Sequence, residues 1–243
     1  MERKSELIQQ LKAEIIALEK FPMPKPVQQV SVGLEAIESS FSGNSFPVGV
    51  VHELISGDRR GAASTNGFIA ALLGSLMRKN DYCLWISNQR TLFPPGLKSF
   101  GVEPDRFIFI DIKREKEVLW AVEQGLKCGG LGAVVAELKE ISFAQSQRLQ
   151  LAVEKSRVTG FLHRCQPLSE HALACATRWK VKPIPSEPEA GLPGLGFPRW
   201  KVELIKARNG RPGVWQLEWR GSRFHSVPLE KRLAKRENQQ HYA

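Results

Sequence analysis

The chain has 243 residues, of which 42% are hydrophobic and 25% charged, and its formal net charge is +10. No apolar run reaches the about 20 residues needed to cross a bilayer, and the charged start MERKSELIQQ has no signal-peptide core, so we expect a cytoplasmic protein. The four cysteines form no C-x-x-C pair and the five histidines no H-x-x-x-H cluster, which predicts free thiols and no bound metal.

Residues 5–20 predict an amphipathic helix with Ser5 as its cap. The proline-rich run 21–26 ends that helix and forms a stiff linker. The apolar stripe could pack on its own domain or dock on a partner protein, and both alternatives are open. The partner-binding candidates on the stripe, spaced by four and three residues, are Leu7, Leu11, Ile15 and Leu18.

The stretch 48–89 predicts a strand, a glycine-bounded turn, a helix and a second strand, which is the unit that begins a P-loop domain. A P-loop has the pattern G-x-x-x-x-G-K-[ST], with the Lys reaching the phosphates. Here Gly57 and Gly61 are one residue too close, and no Lys lies between Ser56 and Met77. Alternatively, the glycines merely let an ordinary α/β unit turn. The positions of the degenerate phosphate loop are Gly57, Asp58, Arg59, Arg60, Gly61 and Thr65.

Helices and strands alternate through the middle of the chain, and this order predicts an α/β fold with a mostly parallel sheet covered on both faces. We expect residues 107–112 (FIFIDI) to form a strand buried on both faces, because five of the six residues are apolar. The other expected elements are helices at Phe68–Met77, Glu115–Lys127 and Phe143–Ser156 and strands at Tyr82–Ile86, Ala133–Glu137 and Gly160–Arg164.

After Pro167 the pattern changes to strands joined by glycine-containing turns, which predicts an antiparallel meander at the end of the sheet. Alternation places Trp215, Leu217 and Trp219 on one strand face, where we expect them to pack inward. The predicted organisation is an N-terminal helix and linker (1–26), one α/β domain (27–227) and a basic tail (228–243).

The positive charge is concentrated near the C-terminus. Residues 196–243 hold eleven Lys or Arg against four Glu, a net +7, so the first 195 residues contribute only +3. This excess favours a polyanionic or acidic partner, although a solvated surface with a free tail has the same composition. The tail contacts that we single out are Lys231, Arg232, Lys235 and Arg236.

Several local strings resemble known families. The runs 53–57, 83–87 and 100–107 are similar to consecutive parts of the RecA recombinase core. The runs 160–164, 175–179 and 198–213 resemble the ImuA family, the RecA-like accessory proteins of bacterial damage-induced translesion synthesis. Together the matching strings cover roughly residues 45–227.

The resemblance to RecA also identifies departures from an active ATPase. By its spacing from Cys83, Thr65 stands roughly where the loop Lys belongs, with extra loop residues before it. Gln89 occupies the place of the Glu that activates the attacking water, and an amide cannot accept that proton. Glu137 keeps the acidic position of the Walker B strand. Without a phosphate-bound Mg²⁺, we favour reading it as a strand-end carboxylate that faces solvent.

Arg59 and Arg60 lie beside a predicted helix N-terminus. Two guanidinium groups there could hold an anion such as a phosphate, the DNA backbone or a partner's carboxylate. A solvated turn without a ligand is the alternative that we favour.

The resemblance implies a non-catalytic protein that assembles or localises a mutagenic polymerase set in SOS-induced, error-prone translesion DNA synthesis. The implied partners are an ImuB-like Y-family polymerase homologue, a polymerase III-type α subunit and RecA, with DNA as a further candidate; no cofactor is implied. One alternative is a divergent P-loop ATPase of recombinational repair, which ATP binding would distinguish. Another is a DNA-binding module acting through the basic C-terminal segment, with an affinity that falls steeply with salt.

Overall fold

The computed structural model describes residues 31–78, 81–88, 92–188 and 196–228. Within them, four α-helices and two short 3₁₀ segments surround one sheet of nine strands. The helices are α1 (Glu35–Glu38), α2 (Arg59–Leu76), α3 (Glu115–Lys127) and α4 (Phe143–Ser156), and the 3₁₀ segments are Pro94–Phe100 and Pro104–Arg106. The strands are β1 (Val51–Ser56), β2 (Tyr82–Ser87), β3 (Phe107–Asp111), β4 (Leu131–Leu138), β5 (Thr159–Cys165), β6 (Thr177–Ile184), β7 (Arg199–Ala207), β8 (Gly213–Arg220) and β9 (Arg223–Val227).

The sheet has the strand order β3-β2-β4-β5-β1-β6-β7-β8-β9. The strands from β3 to β6 pair in parallel, and β6 to β9 form an antiparallel meander. The predicted α/β class, the mostly parallel sheet and the terminal meander are therefore confirmed. In a parallel sheet all strands end at the same edge, so side chains from distant parts of the sequence meet there.

Local sequence explains where the main helices begin and how closely they pack. Ser142 caps α4 in a reciprocal capping box with Gln145, and Glu115 and Glu117 lie in the first turn of α3, where negative charge is favourable. In α2, a Cβ atom on Gly74 would lie 2.3 Å from the carbonyl oxygen of Phe100. Glycine at position 74 thus permits the close approach of α2 to the first 3₁₀ segment.

The sheet separates two hydrophobic layers. One layer lies on the side of α2 and includes Phe68, Trp85, Trp179 and Trp200. The other lies under α3 and α4. Leu217 and Trp219 are buried in the first layer and Trp215 packs against it, as the alternation along β8 predicted.

The expectation for β3 was wrong. This strand lies at one edge of the sheet, pairs with β2, and has Phe107 as its only fully buried residue. Ile108 is 48% exposed. An apolar run predicts a strand well, but its place in the sheet depends on pairings that the run itself does not encode.

The four cysteines are free thiols: Cys83 and Cys175 are buried, Cys165 is half-buried and Cys128 is exposed. Among the described residues, no helix is long and apolar enough to cross a membrane. In the same part of the chain, His, Cys, Asp and Glu side chains form no group of three or more that could hold a metal ion.

Candidate functional site

The connection from β1 to α2 is much shorter than a phosphate-binding loop. β1 ends at Ser56 and α2 begins at Arg59, so only Gly57 and Asp58 lie between the two elements. A P-loop needs several consecutive backbone N–H groups curved around the phosphates. Two residues cannot form that cradle.

The end of α2 that would face a phosphate is capped by the chain itself. Asp58 is the N-cap residue, and its Oδ1 accepts a hydrogen bond from the backbone N–H of Gly61 at 2.6 Å. A helix N-terminus attracts anions through its free N–H groups and its dipole. Here a carboxylate already uses one of those N–H groups, and its charge would repel an approaching phosphate.

Two loop predictions can be compared directly with this geometry. Thr65 does not stand in a lengthened loop; it is fully buried in the second turn of α2, and its hydroxyl donates to the carbonyl oxygen of Gly61 at 2.8 Å. The position inferred from spacing was wrong because the helix starts before it. Arg59 and Arg60 are exposed in the first turn of α2.

A chain of buried polar side chains lies behind this connection, on the α2 side of the sheet. Ser56 Oγ lies 2.8 Å from His163 Nε2, and His163 Nδ1 lies 2.7 Å from Asn66 Oδ1. Asn66 Nδ2 donates to Glu137 Oε1 at 3.1 Å, and Trp85 Nε1 donates to the same oxygen at 2.9 Å. This hydrogen-bonded network joins the C-terminal halves of four parallel strands to α2.

The donors and acceptors fix the direction of this network. Asn66 gives its amide N–H to Glu137, so its carbonyl oxygen faces His163 and accepts the Nδ1 proton. His163 Nε2 is then unprotonated and accepts the Ser56 hydroxyl proton. The ring nitrogens of His163, the Ser56 hydroxyl and the Asn66 amide are therefore each matched, donor to acceptor, as burial requires.

A serine, a histidine and an orienting group in this order also occur in nucleophilic catalysis. Ser56 and His163 are 2% and 0% exposed, however, so a substrate could not contact them in this conformation. Burial lowers the pKa of His163 to about 3, which keeps the ring neutral. These hydrogen bonds therefore link four neighbouring strands to α2 and have a structural role.

Glu137 does not face solvent, and that expectation was wrong. The carboxylate is 7% exposed and accepts hydrogen bonds from Trp85 and Asn66. The resemblance to RecA had assigned position 137 to a Walker B acid; in the structure the Glu137 carboxylate accepts hydrogen bonds from the protein's own side chains. The sequence does not predict this burial, because nothing in the segments around Asn66 and Trp85 indicates that their side chains donate hydrogen bonds to a distant acid.

A second buried network on the opposite side of the sheet was also missed. Glu53 of β1 bonds Arg164 of β5 at 3.0 Å and Arg178 of β6 at 2.6 Å. Arg164 is fully buried and also contacts Glu140 at 3.2 Å. The signal in the sequence was the pair His163-Arg164 within the apolar strand β5: neighbouring residues point to opposite faces, so each face had to supply a polar partner.

The remaining predicted positions lie outside the described residues. They are Gln89, the N-terminal stripe Leu7, Leu11, Ile15 and Leu18, and the tail cations Lys231, Arg232, Lys235 and Arg236.

Comparison with known proteins identifies the family. The chain is 34% identical over 226 residues to Protein ImuA of Caulobacter vibrioides, from strains NA1000 / CB15N and CB 15 alike; the match covers 87% of this chain and 91% of each relative. The chain belongs to the ImuA family. The resemblance drawn from the strings of β5, β6 and β7 is thereby confirmed.

This ImuA-family chain is also similar, more distantly, to the cell division inhibitor SulA of Photorhabdus laumondii. The identity is 26% over 116 residues, which is 48% of this chain and 66% of that protein. No protein-family model matches the chain.

Proposed function

We propose that this ImuA-family protein is a non-catalytic accessory factor of damage-induced, error-prone translesion DNA synthesis, which assembles or localises a polymerase complex in the cytoplasm. Membership of the ImuA family and the similarity to SulA support a DNA-damage-related accessory role. The observation that carries the non-catalytic part is the replacement of the phosphate loop by a two-residue connection with its own carboxylate cap.

Phosphoryl transfer depends on positioning and charge stabilisation by a loop Lys, backbone N–H groups and Mg²⁺. In this chain the loop has no Lys, and the helix end carries Asp58. The acid at the end of β4, Glu137, is hydrogen-bonded to Asn66 and Trp85. A protein that retains the sheet while losing these three features is suited to binding partners rather than turning over nucleotide.

The proposed partners are an ImuB-like Y-family polymerase homologue, a polymerase III-type α subunit and RecA. The sequence offers one docking candidate for them, the apolar stripe predicted at residues 5–20, which a proline-rich run separates from the rest of the chain. Such a stripe is stable in water only when another surface covers it. We place the polymerase contact there.

Replacing Leu11 and Ile15 together by Asp should abolish co-purification with the ImuB-like partner. Burying an unpaired carboxylate in an interface costs several kcal/mol, so two of them should weaken a micromolar complex beyond detection. The check is a pull-down of the partner with tagged full-length chain, together with the Tm of the isolated protein.

Gln9→Asp is the matched control, because helical spacing places position 9 opposite the stripe. It should leave the complex intact. A large fall in Tm for the Leu11→Asp/Ile15→Asp chain would show that the stripe packs on its own domain, and a complex that survives the substitutions would overturn the assignment of the contact.

A further inference from the structure

The outer face of the meander β6–β9 is the side turned away from α2 and from the tryptophan layer. We call it the outer meander face. Along each strand, residues that alternate with the buried core residues point toward this side. Its basic side chains are Arg178, Lys180, Lys182, Arg199, Lys201, Lys206, Arg220 and Arg223. Glu203 and Glu218 on the same strands leave the face with a net charge of +6, from eight cations and two carboxylates.

Two of these cations stand opposite each other on neighbouring strands. Lys182 of β6 and Lys201 of β7 are paired in the sheet register and both are exposed. Neither forms an ion pair or hydrogen bond with any residue in the described part of the chain. Like charges directly opposite each other on a sheet destabilise it. The pair therefore lacks the counter-charge that the neighbouring cations have.

Two neighbouring cations on this face, unlike Lys182 and Lys201, are paired with carboxylates. Arg199 is held by Glu187 at 2.8 Å and by Glu218 at 2.5 Å, and Lys180 contacts Glu170 at 2.7 Å. Intramolecular pairing thus neutralises part of the face. Among the residues that the structure describes, it leaves Lys182, Lys201 and Arg223 without a carboxylate partner and so available for an anion from outside.

The residues between these cations argue for a nucleic acid rather than a protein. The centres of protein interfaces are depleted of charge and depend on buried aromatic or apolar anchors, whereas protein–DNA interfaces are polar and strongly positive. Gln216 lies beside Lys201 in the sheet register. Three apolar residues on this face each pair with a charged or polar residue of the neighbouring strand: Ile184 with Arg199, Val214 with Glu203 and Val227 with Gln216. The face therefore lacks an apolar centre.

The same face argues for duplex rather than single-stranded nucleic acid. Single-strand binders combine cations with exposed aromatic side chains on which bases stack. The meander tryptophans and Phe224 all lie in the opposite layer: Trp179, Trp200, Trp219 and Phe224 are buried there, and Trp215 packs against it half-buried. The Lys pair and the Arg220–Arg223 pair lie four residues apart along β8, roughly 14 Å at about 3.4 Å per residue. Cations held at this separation by a sheet suit the phosphate backbone of a duplex.

We infer that the outer meander face binds the phosphate backbone of duplex DNA, without sequence specificity, through Lys182, Lys201 and Arg223. This inference deepens the proposed function, because it gives the accessory protein its own hold on DNA. It rests on the role in DNA-damage tolerance but is measured with the purified chain alone. Loss of the polymerase contact and loss of DNA binding are therefore separate results.

The test is fluorescence anisotropy of a labelled 30-base-pair duplex titrated with the full-length chain between 50 and 200 mM salt. Counterion release makes affinity fall linearly in log–log with salt, and each lost phosphate contact flattens the slope by about one unit. The Lys182→Gln/Lys201→Gln chain should lose about two units of slope and at least about 10-fold in affinity at physiological salt. Its Tm should be equal to or above that of the native protein, because the repulsion is removed.

Lys113→Gln/Lys116→Gln is the matched control, since it removes the same charge from exposed positions at and just before the start of α3. It should bind like the native chain. Equal losses in the two variants, no duplex binding at 50 mM salt, or tighter binding of a single strand of the same length would each overturn the inference. A clear fall in Tm for Lys182→Gln/Lys201→Gln would do so too, since the pair would then be structural.

Discussion

Glu53→Met should lower the free energy of unfolding by about 3–5 kcal/mol, the usual cost of breaking a buried ion pair by removing one partner. Glu53 is 1% exposed and neutralises two arginines at once. Without it, Arg164 remains fully buried, with Glu140 as its remaining carboxylate contact. The Nε of Arg164 already lacks a hydrogen-bond partner within the described structure, so the guanidinium is poorly placed to lose another. Urea unfolding measures the change.

The double variant Glu53→Met/Arg164→Met should recover much of that loss, because replacing a whole buried pair by apolar side chains is often neutral. Glu117→Gln is the surface control: its partner Arg114 is 82% exposed, so the change should stay below about 1 kcal/mol. A Glu53→Met chain as stable as the Glu117→Gln control would show that the network contributes nothing to folding.

The second large effect is acid sensitivity from two buried neutral histidines. Burial lowers the pKa of His52 to about 3, although the hydrogen bond to the Pro47 carbonyl opposes the shift, and burial lowers that of His163 to about 3. His52 is held by Thr177 at 2.7 Å and stacks between Phe46 and Phe161. Both rings are neutral in the folded protein from pH 7 down until the pH approaches their pKa of about 3.

In the unfolded chain each histidine takes up a proton near pH 6.5. Their contribution to stability is therefore complete above that pH and is lost as the pH falls from 6.5 toward 3. Each should lose about 1.4 kcal/mol per pH unit in that window, or about 2 kcal/mol each between pH 7 and pH 5. Unfolding free energies across this range should fall with the slope of two protons.

His163→Gln should remove one proton from that slope, whereas His225→Gln, at an exposed position of β9, should leave it unchanged. Stability that is flat between pH 7 and pH 5 would contradict the burial of both rings.

The fold was largely predictable because its signals are local. Alternation along β8 placed Trp219 and Leu217 correctly, and the order of strands and helices gave a parallel sheet. The site was less predictable because its chemistry depends on distant partners. In the sequence Glu137 follows an apolar run, as an exposed acid or a catalytic acid would. Glu137 is instead a buried hydrogen-bond acceptor, and this becomes evident only once Asn66 and Trp85 are seen to pack against it and donate to it.

The prediction of where α2 begins was wrong for a related reason. Spacing along the sequence assumed that a loop ran up to Thr65, but Asp58 can cap a helix from the second residue after the strand. The local sequence is compatible both with a helix that begins at Arg59 and with a loop that continues to Thr65. The helix is favoured because it buries Thr65 completely, and that burial depends on the whole fold.

Equilibrium binding of Mg²⁺–ATP to the native full-length chain tests whether the Asp58-capped helix has lost its nucleotide site. By isothermal titration we expect no saturable binding up to about 1 mM nucleotide, the upper end of ordinary enzyme KM values. We also expect no turnover above a buffer blank with or without single-stranded DNA, since phosphoryl transfer depends on the missing Lys and phosphate cradle. An active RecA-type ATPase run alongside shows that the assay detects binding. Micromolar ATP affinity with DNA-stimulated hydrolysis near about one per minute would contradict the account, since it would mean that the Asp58-capped helix still holds a phosphate.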